Sequence, residues 1–436
     1  MERKTIQLEL PDNFSVQQLI EWAGSFSPAL ILNSNSSAQN FSDPYSQSEI
    51  IGAIGCLDEL ICDTDCLRQL ESYIQKPDWY FGYFTYDLKN ELENLYSSHP
   101  DMIQFPALHF FRPRYLARLN GNSMEVSFIE EIDSSEEVEA LFRSIQNFST
   151  KKKRTKSPQI KERVSKDEYL RKTELVRQHI QRGDIYEMNY CVEFYAEQTD
   201  VSPSEVYVKL NEISPMPFSA YFKNDSHVLA CASPERFLAR RGQKIISQPI
   251  KGTAKRGKND IEDKEIILEL RNNTKEQSEN VMIVDLVRND LSRTAQKGSV
   301  KVEELFSVYT FKQLHQMIST VVSEIKPDQT NLDVIRSSFP MGSMTGAPKI
   351  RAMQLIEEFE STKRGLYSGS IGYIDPQGNF DFNVVIRSIQ FNSEKKLLNF
   401  MVGSAITIAS DPEKEYAECL LKAEGMMKAI RLSGRE

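Results

Sequence analysis

Residues 369–391 read Gly369-Ser370-Ile371-Gly372-Tyr373-Ile374-Asp375-Pro376-Gln377-Gly378-Asn379-Phe380-Asp381-Phe382-Asn383-Val384-Val385-Ile386-Arg387-Ser388-Ile389-Gln390-Phe391, and this stretch decides the fold class. Residues 369–374 and 380–391 are strand-like, and Pro376-Gln377-Gly378-Asn379 between them is turn chemistry. A turn so short joins antiparallel neighbours, because a parallel return needs a long crossover. A third strand-like stretch follows at 397–408, and earlier ones lie around 190–195, 219–222 and 228–232. Helical signals stand beside them. Residues 165–182 carry Tyr169, Leu170, Leu175, Val176 and Ile180 at helical spacing and stop at Gly183. Longer helices are expected over 260–293, broken once, and over 412–431. The reading is an α+β fold with large, mainly antiparallel β-sheets flanked by helices.

Residues 1–147 read as a mixture of short strands and helices. Asp78-Trp79-Tyr80-Phe81-Gly82-Tyr83-Phe84-Thr85-Tyr86-Asp87 is aromatic and glycine-punctuated, as strands are, and residues 106–118 continue in that style. Thr150-Lys151-Lys152-Lys153-Arg154-Thr155-Lys156-Ser157-Pro158 is charged, free of apolar residues and closed by Ser-Pro, the texture of a solvated connector. The chain is therefore divided into an N-terminal region (1–150), a linker (151–160) and a catalytic region (161–436).

Composition narrows the function. Hydrophobic residues make up 40% and charged residues 26% of the 436, which argues against disorder. A formal charge of −9 argues against nucleic acid, whose phosphates call for a concentrated basic face. Six cysteines at 56, 62, 66, 191, 231 and 419 lack the Cys-x-x-Cys pairs of structural zinc sites, and a reducing, cytoplasmic setting is expected. The N-terminus has no apolar signal region, and no apolar run approaches the length of a membrane span.

Two helices carry carboxylates three residues apart, Glu276 with Glu279 and Glu415 with Glu418, and Lys422 follows four residues after the latter. Spacings of three and four share one helical face. Acidic pairs of this kind form either a solvated surface or, facing one cleft, a site for a hard cation such as magnesium. The segment Phe339-Pro340-Met341-Gly342-Ser343-Met344-Thr345-Gly346-Ala347-Pro348-Lys349 opens a helix but lacks the order of a phosphate loop, leaving a tight turn or a carboxylate site. Arg387 interrupts an apolar strand, where it serves an internal ion pair or binds a carboxylate. In Gln248-Pro249-Ile250-Lys251-Gly252-Thr253 a lysine sits among apolar and glycine neighbours, with Ser233-Pro234-Glu235-Arg236-Phe237 about a hairpin away. Lys251 is either an exposed loop lysine paired with Glu235 or a desolvated amine, able to lose its proton near neutrality, with Glu235 as its acid.

Together these segments resemble the chorismate-utilising family of anthranilate synthase component I, aminodeoxychorismate synthase component I and the isochorismate or salicylate synthases. The resemblance runs from about residue 161 to 432. It also rests on Gly183-Asp184-Ile185-Tyr186, Met282-Ile283-Val284-Asp285-Leu286-Val287-Arg288-Asn289-Asp290-Leu291 and Ser410-Asp411-Pro412-Glu413. It implies Mg2+ on Glu279 and Glu418, with Glu276 and Glu415 acting through water. It further implies chorismate binding by Arg387, Tyr367, Thr345, Lys422, Asn189 and the Gly403 backbone, an active-site His315, and Glu235 as the general acid. Lysine within Pro-Ile-x-Gly-Thr marks the aminodeoxychorismate branch of that family, in which Lys251 attacks C2 of chorismate and ammonia later enters at C4. The rivals are anthranilate and isochorismate synthesis, and, as a different class, a non-catalytic chorismate-binding regulator.

Three positions depart from the family pattern: Met341 where a glycine is usual, Ala405 in place of the second glycine of Gly-x-Gly, and Glu187 where many relatives have glutamine. The chain shows no glutaminase nucleophile segment, so the resemblance implies a separate glutamine amidotransferase partner supplying ammonia. Leu30-Ile31-Leu32-Asn33-Ser34 matches only loosely the segment that binds tryptophan in related chains.

Overall fold

The computed structural model describes residues 2–11, 14–36, 43–148 and 156–434. Half of the expected linker, residues 151–155, lies outside them, and residues 156–160 form no regular element.

The architecture branches at one strand. Leu108–Asn120 pairs along its length with Ile50–Cys62 on one side. On its other side the first residues pair with Tyr80–Phe84 and the last with Ser123–Ile129. One branch runs from Ile50–Cys62 through Ala29–Asn33, Phe218–Asn224, His227–Ser233, Ser388–Asn392 and Leu397–Ile406 to Glu187–Ala196. The other runs from Tyr80–Phe84 through Ser370–Ile374, Phe380–Asn383, Arg236–Arg241 and Lys244–Gln248 to Leu314–Glu324, which also pairs with Ile250–Lys255 and Lys301–Thr310. Every one of these pairings is antiparallel, as the short turns require. With the helices on their faces, the α+β expectation holds.

The branches face each other across an apolar layer. Leu30, Phe222 and Leu229 of the first meet Phe81, Tyr83, Ile371 and Tyr373 of the second. Each such side chain, fully buried, contributes about 1.5–3 kcal/mol. The strands Ile50–Cys62 and Leu108–Asn120 have thirteen residues each, so the N-terminal region is not built only of short elements. Its strands pair directly with strands of the later region, Tyr80–Phe84 with Ser370–Ile374 and Ala29–Asn33 with Phe218–Asn224.

Two helices cover the far ends of the branches. Thr274–Ser292 packs on Ile250–Lys255 and Leu314–Glu324, at the end of the second branch. Pro412–Ser433 packs on Leu397–Ile406, near the end of the first. The break expected within 260–293 falls at Asn273, whose extended backbone ends Asp260–Asn272 and whose side chain accepts the amides of Lys275 and Glu276 to start the next helix. Asp411 caps Pro412–Ser433 in the same way, with proline at its first position.

Residues 380–391 are not one strand. Pairing stops at Asn383 and resumes at Ser388, and Arg387 between them has φ +51°. The freed backbone finds other partners, Val384 N–H donating to Glu235 O and Val385 N–H to Gly369 O. The kink turns the chain from one branch to the other, which a pattern of apolar residues does not reveal.

Candidate active site

Between the two helices lies a cavity of about 610 Å3. Its wall draws on both branches. The strand Ile250–Lys255 supplies Lys251, and the loop entering Arg236–Arg241 supplies Glu235. Helix Thr274–Ser292 contributes Glu276 and Glu279, and helix Pro412–Ser433 contributes Glu415, Glu418 and Lys422. Asn189, Tyr367, Arg387 and Gly403 complete the expected set on the wall. Residues more than two hundred positions apart are thus gathered at one place.

The Lys251 side chain is 10% exposed, and its Nζ donates to Glu187 Oε1 at 2.5 Å, not to Glu235. Burial pulls its pKa down, but the carboxylates of Glu187 and Glu279 outweigh that pull and the net direction is upward. This corrects the expectation of an amine neutral near pH 7: the desolvation is present, and the neighbouring negative charge reverses its effect.

Glu235 sits on the same wall, hydrogen-bonded and out of solvent. It is 4% exposed, and burial pushes its pKa up to about 7 against the opposing hydrogen bond from Ser343 Oγ (2.7 Å) and the charge of Lys251. A carboxyl in this range carries a proton through much of the neutral region and can release it to a leaving oxygen.

The acidic helices face each other. Burial raises Glu279 to about 7, and its Oε1 has no hydrogen-bond partner among the described residues. Lys275 Nζ stands 3.7 Å from both Glu279 Oε1 and Glu415 Oε1, so a lysine bridges the two pairs. Ser404 Oγ donates to Glu415, and Lys422 Nζ binds Glu418 Oε1 at 2.7 Å and Gly403 O at 2.9 Å. The donors are all hard oxygens. Among the described residues no group of three or more His, Cys, Asp or Glu side chains is arranged to hold a metal ion. An open set of this kind suits a cation that keeps several waters and takes one or two carboxylates.

The Arg387 side chain lines the cavity without a hydrogen bond or ion pair to another described residue, so it is not the internal ion pair its sequence context allowed. Its guanidinium is lowered in pKa by burial and feels only the fields of Tyr367 and Glu418. Left-handed backbone at a non-glycine residue is costly and concentrates at functional sites. Five donors aimed into a cavity fit a carboxylate.

Two expected site residues lie off the wall. Thr345 is fully buried, with its hydroxyl on the carbonyls of Met341 and Gly342, while its own carbonyl accepts Asn189 N–H at 2.8 Å. It supports Asn189 and does not reach the cavity. His315 is also fully buried, between Thr310 Oγ1 (2.9 Å) and Asp263 Oδ1 (3.0 Å). Its strand neighbours Leu314 and Gln316 line the cavity, and the two-residue period of a strand turns His315 to the opposite face. Within the glycine-rich segment, Ser343 and Met344 line the cavity, and the following residues serve the sheet. Residues Gly346 and Ala347 pair with Met188 and Glu187, and a Cβ on Gly346 would meet Glu187 O at 2.1 Å.

Comparison with known proteins places this geometry. The family model for chorismate binding enzyme matches residues 32–428. The chain belongs to the chorismate binding enzyme family. It is 32% identical over 366 residues to aminodeoxychorismate synthase component 1 of Bacillus subtilis, covering 81% of this chain and 77% of that protein. It is 34% identical over 366 residues to anthranilate synthase component 1 of Thermus thermophilus, with the same coverage. Its fold is similar to the crystal structure of anthranilate synthase component I from Streptococcus pneumoniae, with a TM-score of 0.77 at 25% identity over 89% of this chain and 93% of that one.

For a chorismate binding enzyme the three departures now have places. Met341 points into an apolar cluster with Phe339 and Met344, and Ala405 stays on the cavity wall. Glu187, 1% exposed, is the direct partner of Lys251. Glu187 stood out in the sequence only as a departure, and Ser343 and Lys275 were not singled out at all. Ser343 is the one hydroxyl within Gly342-Ser343-Met344, and Lys275 adjoins Glu276, four residues before Glu279. Among the described residues no helix is long and apolar enough to cross a membrane.

Proposed function

We propose that this chain is the component of aminodeoxychorismate synthase that converts chorismate and ammonia to 4-amino-4-deoxychorismate. The observation that carries this reading is Lys251, its side chain 10% exposed, in the wall of a cavity that also holds Glu235, a carboxyl pushed up to about 7. A regulator that only binds chorismate has no use for a nucleophile beside an acid.

Chorismate would enter with a carboxylate toward the free guanidinium of Arg387, and Tyr367 and Asn189 would border its ring. Lys251 would attack C2 while Glu235 protonates the departing C4 hydroxyl, and ammonia would then enter at C4 and expel the lysine. Glu279 and Glu418 would hold magnesium, with Glu276 and Glu415 acting through water, and the Glu279 oxygen that accepts no hydrogen bond from the described residues fits that use. When bound, the ion neutralises the ring carboxylate and the surrounding acids. Ammonia would come from a glutamine amidotransferase partner, in keeping with the designation component 1 of the Bacillus subtilis relative.

Anthranilate synthase component 1 of Thermus thermophilus is about equally similar in sequence, so the product decides. Incubation with chorismate, a magnesium salt and an ammonium salt is expected to give 4-amino-4-deoxychorismate. Anthranilate or isochorismate as the main product would overturn the proposal.

A further inference from the structure

We propose that Glu187 is the base of the first chemical step, accepting the proton that Lys251 must lose before its nitrogen can attack. This rests on the functional reading above.

Lys251 meets carboxylates from several elements. Glu187 stands on the strand Glu187–Ala196, Glu235 on the loop before Arg236, Glu276 and Glu279 on one helix, and Glu418 on another. Among the described residues only Glu187 hydrogen-bonds the ammonium, through Oε1 at 2.5 Å. Glu235 is engaged by Ser343 and, as the acid, must hold its own proton. The remaining carboxylates act on Lys251 through charge alone.

The surroundings of Glu187 suit an acceptor. Its side chain is 1% exposed, and its Oε2 is buried with no hydrogen-bond partner among the described residues. A buried carboxylate with one hydrogen-bond partner among the described residues is poorly solvated, and transfer along the existing hydrogen bond leaves a neutral acid beside a neutral amine. A low-dielectric site tolerates such a neutral pair better than separated charges. Pairing of Gly346 and Ala347 with Met188 and Glu187 fixes this strand, so the acceptor is held in place.

The step balances. Glu187 takes one proton from the Lys251 ammonium, and the amine nitrogen forms a bond to C2. The two ring double bonds shift, the C4–O bond breaks with its electrons, and the oxygen takes the Glu235 proton and leaves as water. The products are a secondary ammonium joining Lys251 to the ring, neutral Glu187 and ionised Glu235.

The test follows the Lys251 adduct by quenched-flow mass spectrometry of the intact chain with chorismate and magnesium, ammonia withheld. Wild type is expected to gain the mass of chorismate less one water. Glu187→Gln, which keeps the size and a hydrogen-bond acceptor, is expected to form it about 10²–10⁴-fold more slowly, with less than about threefold change in KM. Glu187→Asp, which keeps the carboxylate, is expected to form it faster than Glu187→Gln. A site needing only a hydrogen bond to Lys251 gives the reverse order, and Glu187→Gln at or above the Glu187→Asp rate would overturn the inference. A wild-type chain that makes product but never gains this mass overturns the Lys251 route itself, and Glu187 as its base with it.

Discussion

Glu235 sets the expected response to pH at the residue scale. Its carboxyl is raised to about 7, so it is protonated below that value and ionised above it. An acid must be protonated to act, and turnover is therefore expected to fall as pH rises through about 7. Glu235→Gln should lose this alkaline limb and about 10²–10⁴-fold of kcat, read from pH–rate profiles of both proteins. A Gln variant that keeps the wild-type profile would remove Glu235 from the acid's role. Lys251 and Glu235 were legible in the sequence because each sits in a short, distinctive segment. The charge state of Lys251 was not legible, since it depends on Glu187, 64 residues earlier in the chain. His315 shows the same limit: the strand was readable, but which of its faces met the cavity was not.

At the scale of elements, the acidic pairs matter because two helices end on one cavity. Their spacing was visible in the sequence, and so was the break that Asn273 caps. That they face each other was not, because it depends on which sheet branch carries each helix. Glu279→Gln is expected to raise the magnesium concentration for half-maximal turnover by about 10–100-fold. An unchanged magnesium requirement would move the ion elsewhere. The strand Leu397–Ile406 carries a second test. A Cβ on Gly403 would sit 2.5 Å from Cys191 Sγ and 3.1 Å from Tyr190 O. Gly403→Ala is expected to cost about 1–3 kcal/mol, seen as a lower Tm, because the neighbouring strand cannot give way cheaply. The kink at 384–387 escaped the sequence altogether: its residues are apolar enough for a strand, and only the change of branch explains why Arg387 is released into the cavity.

Across the whole molecule, chain order and spatial order diverge. The N-terminal strands Tyr80–Phe84 and Ala29–Asn33 are hydrogen-bonded into the later region, and the apolar layer between the branches draws on both. Residues 161–436 produced alone are therefore expected to lack a cooperative thermal transition, whereas a chain nicked between 150 and 160 should stay associated and melt as one unit. The α+β class was legible because turn lengths fix strand direction. The branching at Leu108–Asn120 was not, since local pattern carries no record of distant partners. The central claim is that this assembly aminates chorismate through Lys251. Its most direct test is mass spectrometry of the product formed from chorismate, magnesium and nitrogen-15 ammonium by wild type and Lys251→Ala side by side. The account predicts labelled 4-amino-4-deoxychorismate from wild type, with at least about a tenfold lower rate from the variant. Labelled anthranilate, unlabelled isochorismate, or equal rates from the two proteins would contradict it.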